Sequence, residues 1–471
     1  MHNFFSLSKP CKIHFIGIGG ISMSGLAEIL KNHGFDVCGS DNASTEITKR
    51  LMGLGINVCI PNAAKNIPED VDAVVFTAAV KKDNPEYTHA ISKGLPTLER
   101  AELIRFLLES YENTICIAGT HGKTTTTGMI ADTLTFCGLD PTVSVGGHMA
   151  STGLNYRIGG KTTFVLEACE YNNSFLHWQP KIGVILNIED DHPDFYSGLE
   201  DIINSFKKFA QNIKPGGCLI INSSLPCFES ITKSLNVEVV SFGPENSAAR
   251  FTPKNIQQKK GKTIFDVMDW QNVAAQVHLP FYGEYNILNA LACFAVSHVL
   301  GINHEKIADG LAAAKGMKRR FEIKGTVKGI TIIDDYAHLP SEIKACLKAL
   351  REMVEPKAKI VCLFQPHTYS RTKYFLSEFA ASFYGADEVL LLPIFSARES
   401  FDPEISSDML KNKIAENGTC AKMFEKFDET GNYLANHLKE GDVLMTLGAG
   451  EAYKVGDSLL RGEFSTLSTC Y

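Results

Sequence analysis

The chain reads as short apolar runs, each stopped by glycine or a small polar residue and followed by a longer amphipathic stretch. The first run, 13–16, meets Gly17, Gly19 and Gly20, and a helical pattern continues through Leu30 to a break at Gly34. A second strand, "DVCGS", leads to Asp41, and further strand-like pieces lie at "INVCI", "AVVFTAAV" and "LPTL". Apolar runs of this length predict buried strands, and their alternation with helical periodicity predicts parallel sheets covered by helices. This first unit ends near Arg105. The pattern resumes with strands "NTICIAG", "TTFVLEAC", "KIGVILNI" and "CLIIN" and helices "LEDIINSFKKFAQNI", "NILNALACFAVSHVLG" and "HEKIADGLAAA". Between them, residues 237–279 are more polar and read as antiparallel. Beyond "AKGMKRRFEIKG" a third unit carries strands "ITIIDDYA", "KIVCLFQP", "EVLLLPI" and "DVLMTLGAG" around helices such as "LPSEIKACLKALREM". The fold class predicted is α/β.

Bulk properties narrow the class. A chain of 471 residues exceeds what one core organises, in keeping with several domains. A net charge of −7 argues against a general nucleic-acid binder. No apolar run approaches the roughly 20 residues that span a bilayer, and the N-terminus lacks a signal-peptide pattern, so the expectation is a cytoplasmic protein without a membrane partner. The 13 cysteines form no CxxC pair. Cys116, Cys293 and Cys362 sit inside apolar segments, where reduced core thiols are expected.

The sharpest chemical signal is "GTHGKTTTT", directly after the strand "TICIA". A strand, a glycine loop, Lys-Thr and a helix form a nucleotide-phosphate cradle. Backbone amides from Gly119, Thr120 and Gly122 to Lys123 can surround phosphate oxygens, with Thr125 at the helix start. Lys123 would neutralise the β- and γ-phosphates of ATP, and the Thr124 hydroxyl would hold Mg²⁺. Only two residues separate Gly119 from Gly122, fewer than in the commonest form. Glu167, ending "TTFVLE", and His192, beyond "KIGVILNI", fall at strand ends where a parallel sheet places its chemistry, and are candidate metal residues. A histidine ligand is unusual for Mg²⁺, which suits oxygen donors. Gly17, Gly19 and Gly20 make a second loop that a phosphate could approach, and Asp41 suits a ribose hydroxyl.

Taken together and in order, "GTHGKTTTT", "VLEACE", "LNIEDDHPDFY", "YNILNALA", "KRRFE" and "DDYAHLPSEI" resemble the Mur ligases, ATP-dependent amide-forming enzymes of peptidoglycan precursor synthesis. The segments "IHFIGIGGISMSGLAEIL", "TAAVKKDNPE", "LFQPHTYSRT" and "LPIFSARE" are similar to the branch that joins L-alanine to UDP-N-acetylmuramate. The resemblance implies a Rossmann-like UDP-sugar domain (1–106), a central P-loop ATPase-like domain with a mixed sheet (107–321) and a C-terminal Rossmann-like domain for the amino acid (322–471). It assigns Gly17, Gly19, Gly20 and Ser22 to the UDP pyrophosphate. Asp41, Thr77 and Ala78 go to the uridine and ribose, and His121 and Ser174 to the muramoyl part. It implies that ATP is contacted by Asn289, with Asn286 beside it, by Arg320 at the γ-phosphate, and by Asp335 and His338 near the ribose or phosphates. Thr124, Glu167 and His192 would hold two Mg²⁺ ions. L-alanine would meet a carboxylate clamp centred on Arg371, with Tyr336, His367 and Arg398 nearby. Lys123, Glu167, His192 and Arg371 are the expected catalytic set.

Some positions depart from the family pattern. "EACEYNNS" stands where "EADESD" is frequent, Leu339 replaces a histidine, Tyr285 precedes the asparagine pair in place of a histidine, and Glu451 replaces an aspartate. A related recycling ligase that attaches a tripeptide to the same sugar nucleotide is the near alternative. A nicotinamide-dependent dehydrogenase is the distant one, suggested by "GIGGISMSG" alone. Monomer and homodimer are both compatible with the sequence.

Overall fold

The computed structural model describes residues 10–77, 79–259, 261–397 and 399–464. The chain builds three sheets in succession. The first contains β1 (Lys12–Ile16), β2 (Asp36–Ser40), β3 (Asn57–Cys59), β4 (Ala73–Phe76) and β5 (Thr97–Glu99). All five are parallel in the order β3-β2-β1-β4-β5. The order reverses between β1 and β4, so the loops after these strands part and open a crevice at the strands' carboxyl ends.

The second sheet contains β6 (Asn113–Ala118), β7 (Thr142–Ser144), β8 (Tyr156–Arg157), β9 (Thr163–Glu167), β10 (Ile182–Ile185), β11 (Cys218–Asn222), β12 (Glu238–Phe242), β13 (Phe251–Lys259), β14 (Lys262–Asp269) and β15 (Asn272–Leu279). Its order is β15-β14-β13-β12-β11-β10-β6-β9-β7-β8. The strands β6, β9, β10 and β11 are parallel and almost wholly buried, hence their unbroken apolar runs. The stretch expected to be antiparallel from residue 237 starts parallel, because β12 pairs in parallel with β11. Antiparallel pairing begins only at β13, where consecutive strands are joined by turns too short for a crossover.

The third sheet contains β16 (Glu322–Val327), β17 (Ile330–Asp335), β18 (Ile360–Phe364), β19 (Glu388–Leu391), β20 (Cys420–Met423) and β21 (Val443–Leu447), in the order β16-β17-β21-β18-β19-β20. All pairs are parallel except the edge hairpin β16–β17. The edge strands β16 and β20 are half- to fully exposed, and lysine interrupts both, so no apolar run announces them.

The three units do not pack alike. One apolar core runs from the first sheet into the second, joining Leu103, Leu107 and Tyr111 to Phe164, Phe175 and Trp178. Trp178 Nε1 donates to the Ala101 carbonyl at 3.1 Å. Tyr156 lies against Gly25 of the helix Ile21–Asn32, where an added Cβ would come within 3.0 Å of the ring. Its hydroxyl sits between Glu28 and Arg50, with Arg50 Nη1 at 2.7 Å. The third sheet keeps its own two cores. It meets the central sheet through the polar contacts described below.

Cys116, Cys293 and Cys362 are buried, and all cysteines among the described residues are free. Among the described residues no helix is long and apolar enough to cross a membrane.

Candidate active site

β6 ends in the loop 119–122, and the helix Lys123–Phe136 begins at once. Gly119 (φ +153°) and Gly122 (φ +77°) adopt backbone angles that favour glycine. A Cβ on Gly122 would lie 2.7 Å from Asn289 Oδ1. The loop backbone is pinned from β10's side by Asn187, whose Oδ1 accepts from His121 N (2.7 Å) and whose Nδ2 donates to the His121 carbonyl (3.0 Å). The free amides at the helix start form the positive end of the helix dipole, the physical basis of anion binding there.

Lys123 Nζ folds over this loop. It donates to the carbonyls of Gly119 and Thr120 and to Glu170 Oε1 at 2.9 Å. Burial works against the ammonium, but Glu170 outweighs it and raises the lysine above its ordinary value. Thr124 Oγ1 donates to Glu167 Oε1 (3.0 Å), and Glu167 Oε2 accepts from Gly146 N (2.6 Å). The next threonines serve the helix itself: Thr126 and Thr127 are buried, and Thr127 Oγ1 returns to the Lys123 carbonyl at 2.8 Å.

Two groups of metal-type side chains therefore flank Lys123. Thr124 with Glu167 forms one. Glu170, Asp191 and His192 form the other, with ligand atoms within 4.8 Å of one another. His192 Nε2 lies 3.4 Å from Asp191 Oδ2 and 3.7 Å from Glu170 Oε1. Burial holds His192 below its ordinary value, leaving a neutral imidazole. Carboxylates and a hydroxyl are the hard donors Mg²⁺ prefers, and a neutral imidazole can join them. The sequence singled out Glu167 and His192. It missed Glu170 and Asp191, although both lie in the quoted "VLEACE" and "EDDHPD".

A cavity of about 620 Å³ opens beside the loop, between the second and third sheets. Gly122, Thr125, Asn289, Arg320 and Asp335 line its polar end, while Phe281, Met317 and Phe321 give it apolar walls. Asn289 Nδ2 donates to Asn286 Oδ1 (3.2 Å), and Asn286 Nδ2 to the Tyr282 carbonyl (2.6 Å), which orients both amides. Arg320 Nη2 reaches Thr124 Oγ1 at 3.3 Å and stacks over Tyr336. Asp335, at the end of β17, accepts from the amides of Phe321 (2.6 Å) and Ala337 (2.7 Å), and burial raises its carboxyl to about 6.

The third sheet closes the mouth with ion pairs. His121, in the glycine loop, places Nδ1 3.1 Å from Glu342 and Nε2 3.0 Å from Glu189. Burial opposes its charge, but Glu342 and Glu189 lift its value to about 10. Arg371 donates through Nε (3.3 Å) and Nη2 (3.0 Å) to Asp191 Oδ1, and its Nη1 stands 3.1 Å from His367 Nδ1. Tyr374 donates to Asp190 at 2.8 Å. Burial, followed by electrostatic effects that include Arg371, drops His338 to about 4 and His367 to about 3, so both imidazoles are neutral beside the guanidinium. Tyr336 lies against Arg319 and Arg320 rather than Arg371. Arg398 lies outside the described residues.

Around the first sheet, Gly17 (φ +77°) opens the loop after β1. Gly19 N donates to Asp41 Oδ2 at 2.9 Å, and a Cβ on Gly19 would collide with that carboxylate at 2.8 Å. Gly20 caps the helix Ile21–Asn32 without a side chain, and Ser22 accepts from Arg100 in its first turn. Thr77, just past β4, accepts from Ala79 N at 3.2 Å; Ala78 lies outside the described residues. Ser174 donates to the Tyr171 carbonyl at 2.9 Å. His121 is not gathered with this group, because its ring is taken by the two glutamates.

Three family models match in order: the Mur ligase family catalytic domain over residues 12–112, the Mur ligase middle domain over 117–297, and the Mur ligase glutamate ligase domain over 319–450. The chain is 44% identical over 455 residues to a UDP-N-acetylmuramate–L-alanine ligase of Lachnospira eligens, covering 96% of this chain and 99% of that protein. A protein of the same name from Clostridium kluyveri is 45% identical over 457 residues, covering 97% and 99%. The fold is similar to that of the UDP-N-acetylmuramate–alanine ligase of Thermotoga maritima, at 29% identity and a TM-score of 0.81, covering 96% of this chain and 99% of that one. A murein peptide ligase of Psychrobacter arcticus shares the fold at 22% identity and a TM-score of 0.69, covering 97% and 100%.

Proposed function

The chain belongs to the Mur ligase family, and on that premise we infer that it is an ATP-dependent ligase joining L-alanine to the lactyl carboxylate of UDP-N-acetylmuramate. The observation that carries this reading is the full-length likeness to alanine ligases, joined to a glycine loop whose Lys123–Glu170 pair is linked through His192 to the Asp191–Arg371 pair. The tripeptide-recycling alternative is not favoured: the murein peptide ligase that shares the fold is only 22% identical, while the relatives at 44% and 45% identity are alanine ligases. The dehydrogenase reading leaves the loop at Lys123 without a task.

The γ-phosphoryl group of ATP passes to the lactyl carboxylate, giving an acyl phosphate and ADP. The amine of L-alanine attacks the acyl carbon, and the tetrahedral intermediate expels phosphate to leave the amide. Such chemistry requires positioning and charge neutralisation more than a nucleophilic side chain. Adenine enters the cavity with its faces toward the apolar walls and its edge toward Asn289, with Asp335 and His338 toward the ribose and phosphates. Lys123 exchanges its loop carbonyls for the β- and γ-phosphates, with Glu170 keeping the ammonium at the loop mouth. Arg320 reaches the γ-phosphate from the side of Thr124.

Thr124 with Glu167, and His192 with Glu170 and Asp191, are the residues that would hold Mg²⁺; when bound, the ion neutralises phosphate oxygens. Arg371 takes the alanine carboxylate, supported by His367, whose Nδ1 stands 3.1 Å from its Nη1. Gly17, Gly19, Gly20 and Ser22 take the diphosphate, and Asp41 and Thr77 the uridine ribose. The reaction belongs to the cytoplasm, where reduced cysteines persist.

The test is mass spectrometry of the product formed from ATP, UDP-N-acetylmuramate and L-alanine, with phosphate release followed in parallel. Phosphate release should require both co-substrates. Preference for a tripeptide over L-alanine, or ATP hydrolysis indifferent to the sugar nucleotide, overturns the reading.

A further inference from the structure

Arg100 opens the helix Arg100–Glu109, immediately after β5. Its side chain turns inward beside the first domain's glycine loop, where Nη1 donates to Ser22 Oγ at 3.1 Å. Cys169, from the central unit, is near enough to act on it electrostatically. Among the described residues this guanidinium makes no ion pair. The nearest acids along the chain serve the helix start: the Glu99 side chain caps the helix and acts on Arg100 only electrostatically, without an ion-pair contact, and Glu102 Oε2 accepts from Glu99 N at 2.9 Å. Burial pushes Arg100 below its ordinary value.

A cation drawn out of water without an anion is destabilising, and proteins ordinarily pair it. The partner implied here is one that arrives with the substrate. Ser22 sits in the first turn of the helix Ile21–Asn32, directly after Gly17, Gly19 and Gly20, and that helix has no side-chain cap to occupy its free amides. A planar guanidinium offers paired donors suited to phosphate oxygens.

We propose that Arg100, oriented by Ser22, is a diphosphate-binding residue for the UDP moiety of the sugar nucleotide. The assignment rests on reading the first domain as the UDP-sugar site, and it adds to the glycine loop a fixed charge contributed from a different strand end. With the diphosphate bound, Arg100 gains its counter-ion, and the same side chain links the sugar nucleotide to the central unit that carries Lys123.

Calorimetry on the full chain tests it with two probes, UDP-N-acetylmuramate and UDP, against wild type, Arg100→Met and Arg100→Lys. The expected result is a 10- to 100-fold weakening of both probes in Arg100→Met, partial recovery in Arg100→Lys, and unchanged affinity for ATP. Equal binding of both probes by wild type and Arg100→Met overturns the proposal. Loss confined to UDP-N-acetylmuramate moves the guanidinium to the lactyl carboxylate and also overturns it. An equal loss of ATP affinity makes the residue merely structural, with the same consequence. A wild-type protein that binds neither probe refutes the UDP-sugar reading of the domain itself.

Discussion

Replacing His121 with asparagine removes one positive charge from the junction between the glycine loop at 119–122 and the third sheet. The imidazole lies within 3.1 Å of Glu342 and 3.0 Å of Glu189, and its side chain is only 15% exposed. Its value rises from 6.5 to about 10 in the folded protein. At about 1.4 kcal/mol per pH unit, that rise is worth roughly 5 kcal/mol. The figure agrees with the roughly 3–5 kcal/mol lost when one member of a buried pair is removed. Because the folded value is the higher one, the stabilisation is complete below pH 6.5 and is lost as pH rises through about 10.

Thermal unfolding of wild type and His121→Asn should therefore diverge most near pH 6, by on the order of 10 °C, and converge above pH 10. Nuclear magnetic resonance of the His121 imidazole gives the same quantity directly. A ring that titrates at or below 6.5, or a melting deficit as large at pH 10.5 as at pH 6, refutes the reasoning.

Lys123→Ala removes the ammonium held by Glu170 and should lower kcat about a thousandfold, as expected for a group that neutralises a transferring phosphoryl; wild-type turnover in a single-turnover phosphate assay would refute the role. Arg371→Ala should raise KM for L-alanine about 10- to 100-fold, the scale of a charge-assisted hydrogen bond, with KM for ATP little changed. The same change leaves Asp191 buried without its cation, so the melting temperature should also fall. Adding Asp191→Asn should restore the melting temperature but not KM, and recovery of both would make Arg371 a structural residue only.

Where the chain carries its instructions locally, the sequence is easily read. The run "TICIAGTHGKTTTT" contains a buried strand, two glycines at positive φ and a helix start, all within adjacent residues. The parallel strands are equally legible because both faces are buried. The edge strands β16 and β20 are not, since an exposed edge needs no apolar run. Glu170 stands in a quoted motif, yet nothing in "EACE" tells which glutamate meets the lysine and which the threonine. The register of β9 against β6 decides that, by setting Glu167 beside the start of the helix and sending the chain onward to Glu170.

The sequence by itself determined the fold class, the three-part order of sheets, the glycine loop before Lys123 and the family, because periodicity, glycine turns and contiguous motifs are properties of neighbouring residues. Only the tertiary structure decided which charges meet. His121 pairs with Glu342 across 221 residues and Arg371 with Asp191 across 180, while Arg100 reaches only the neutral Ser22 hydroxyl across 78. Electrostatic partners are chosen by distance and burial in the folded chain, and neither quantity is written along it.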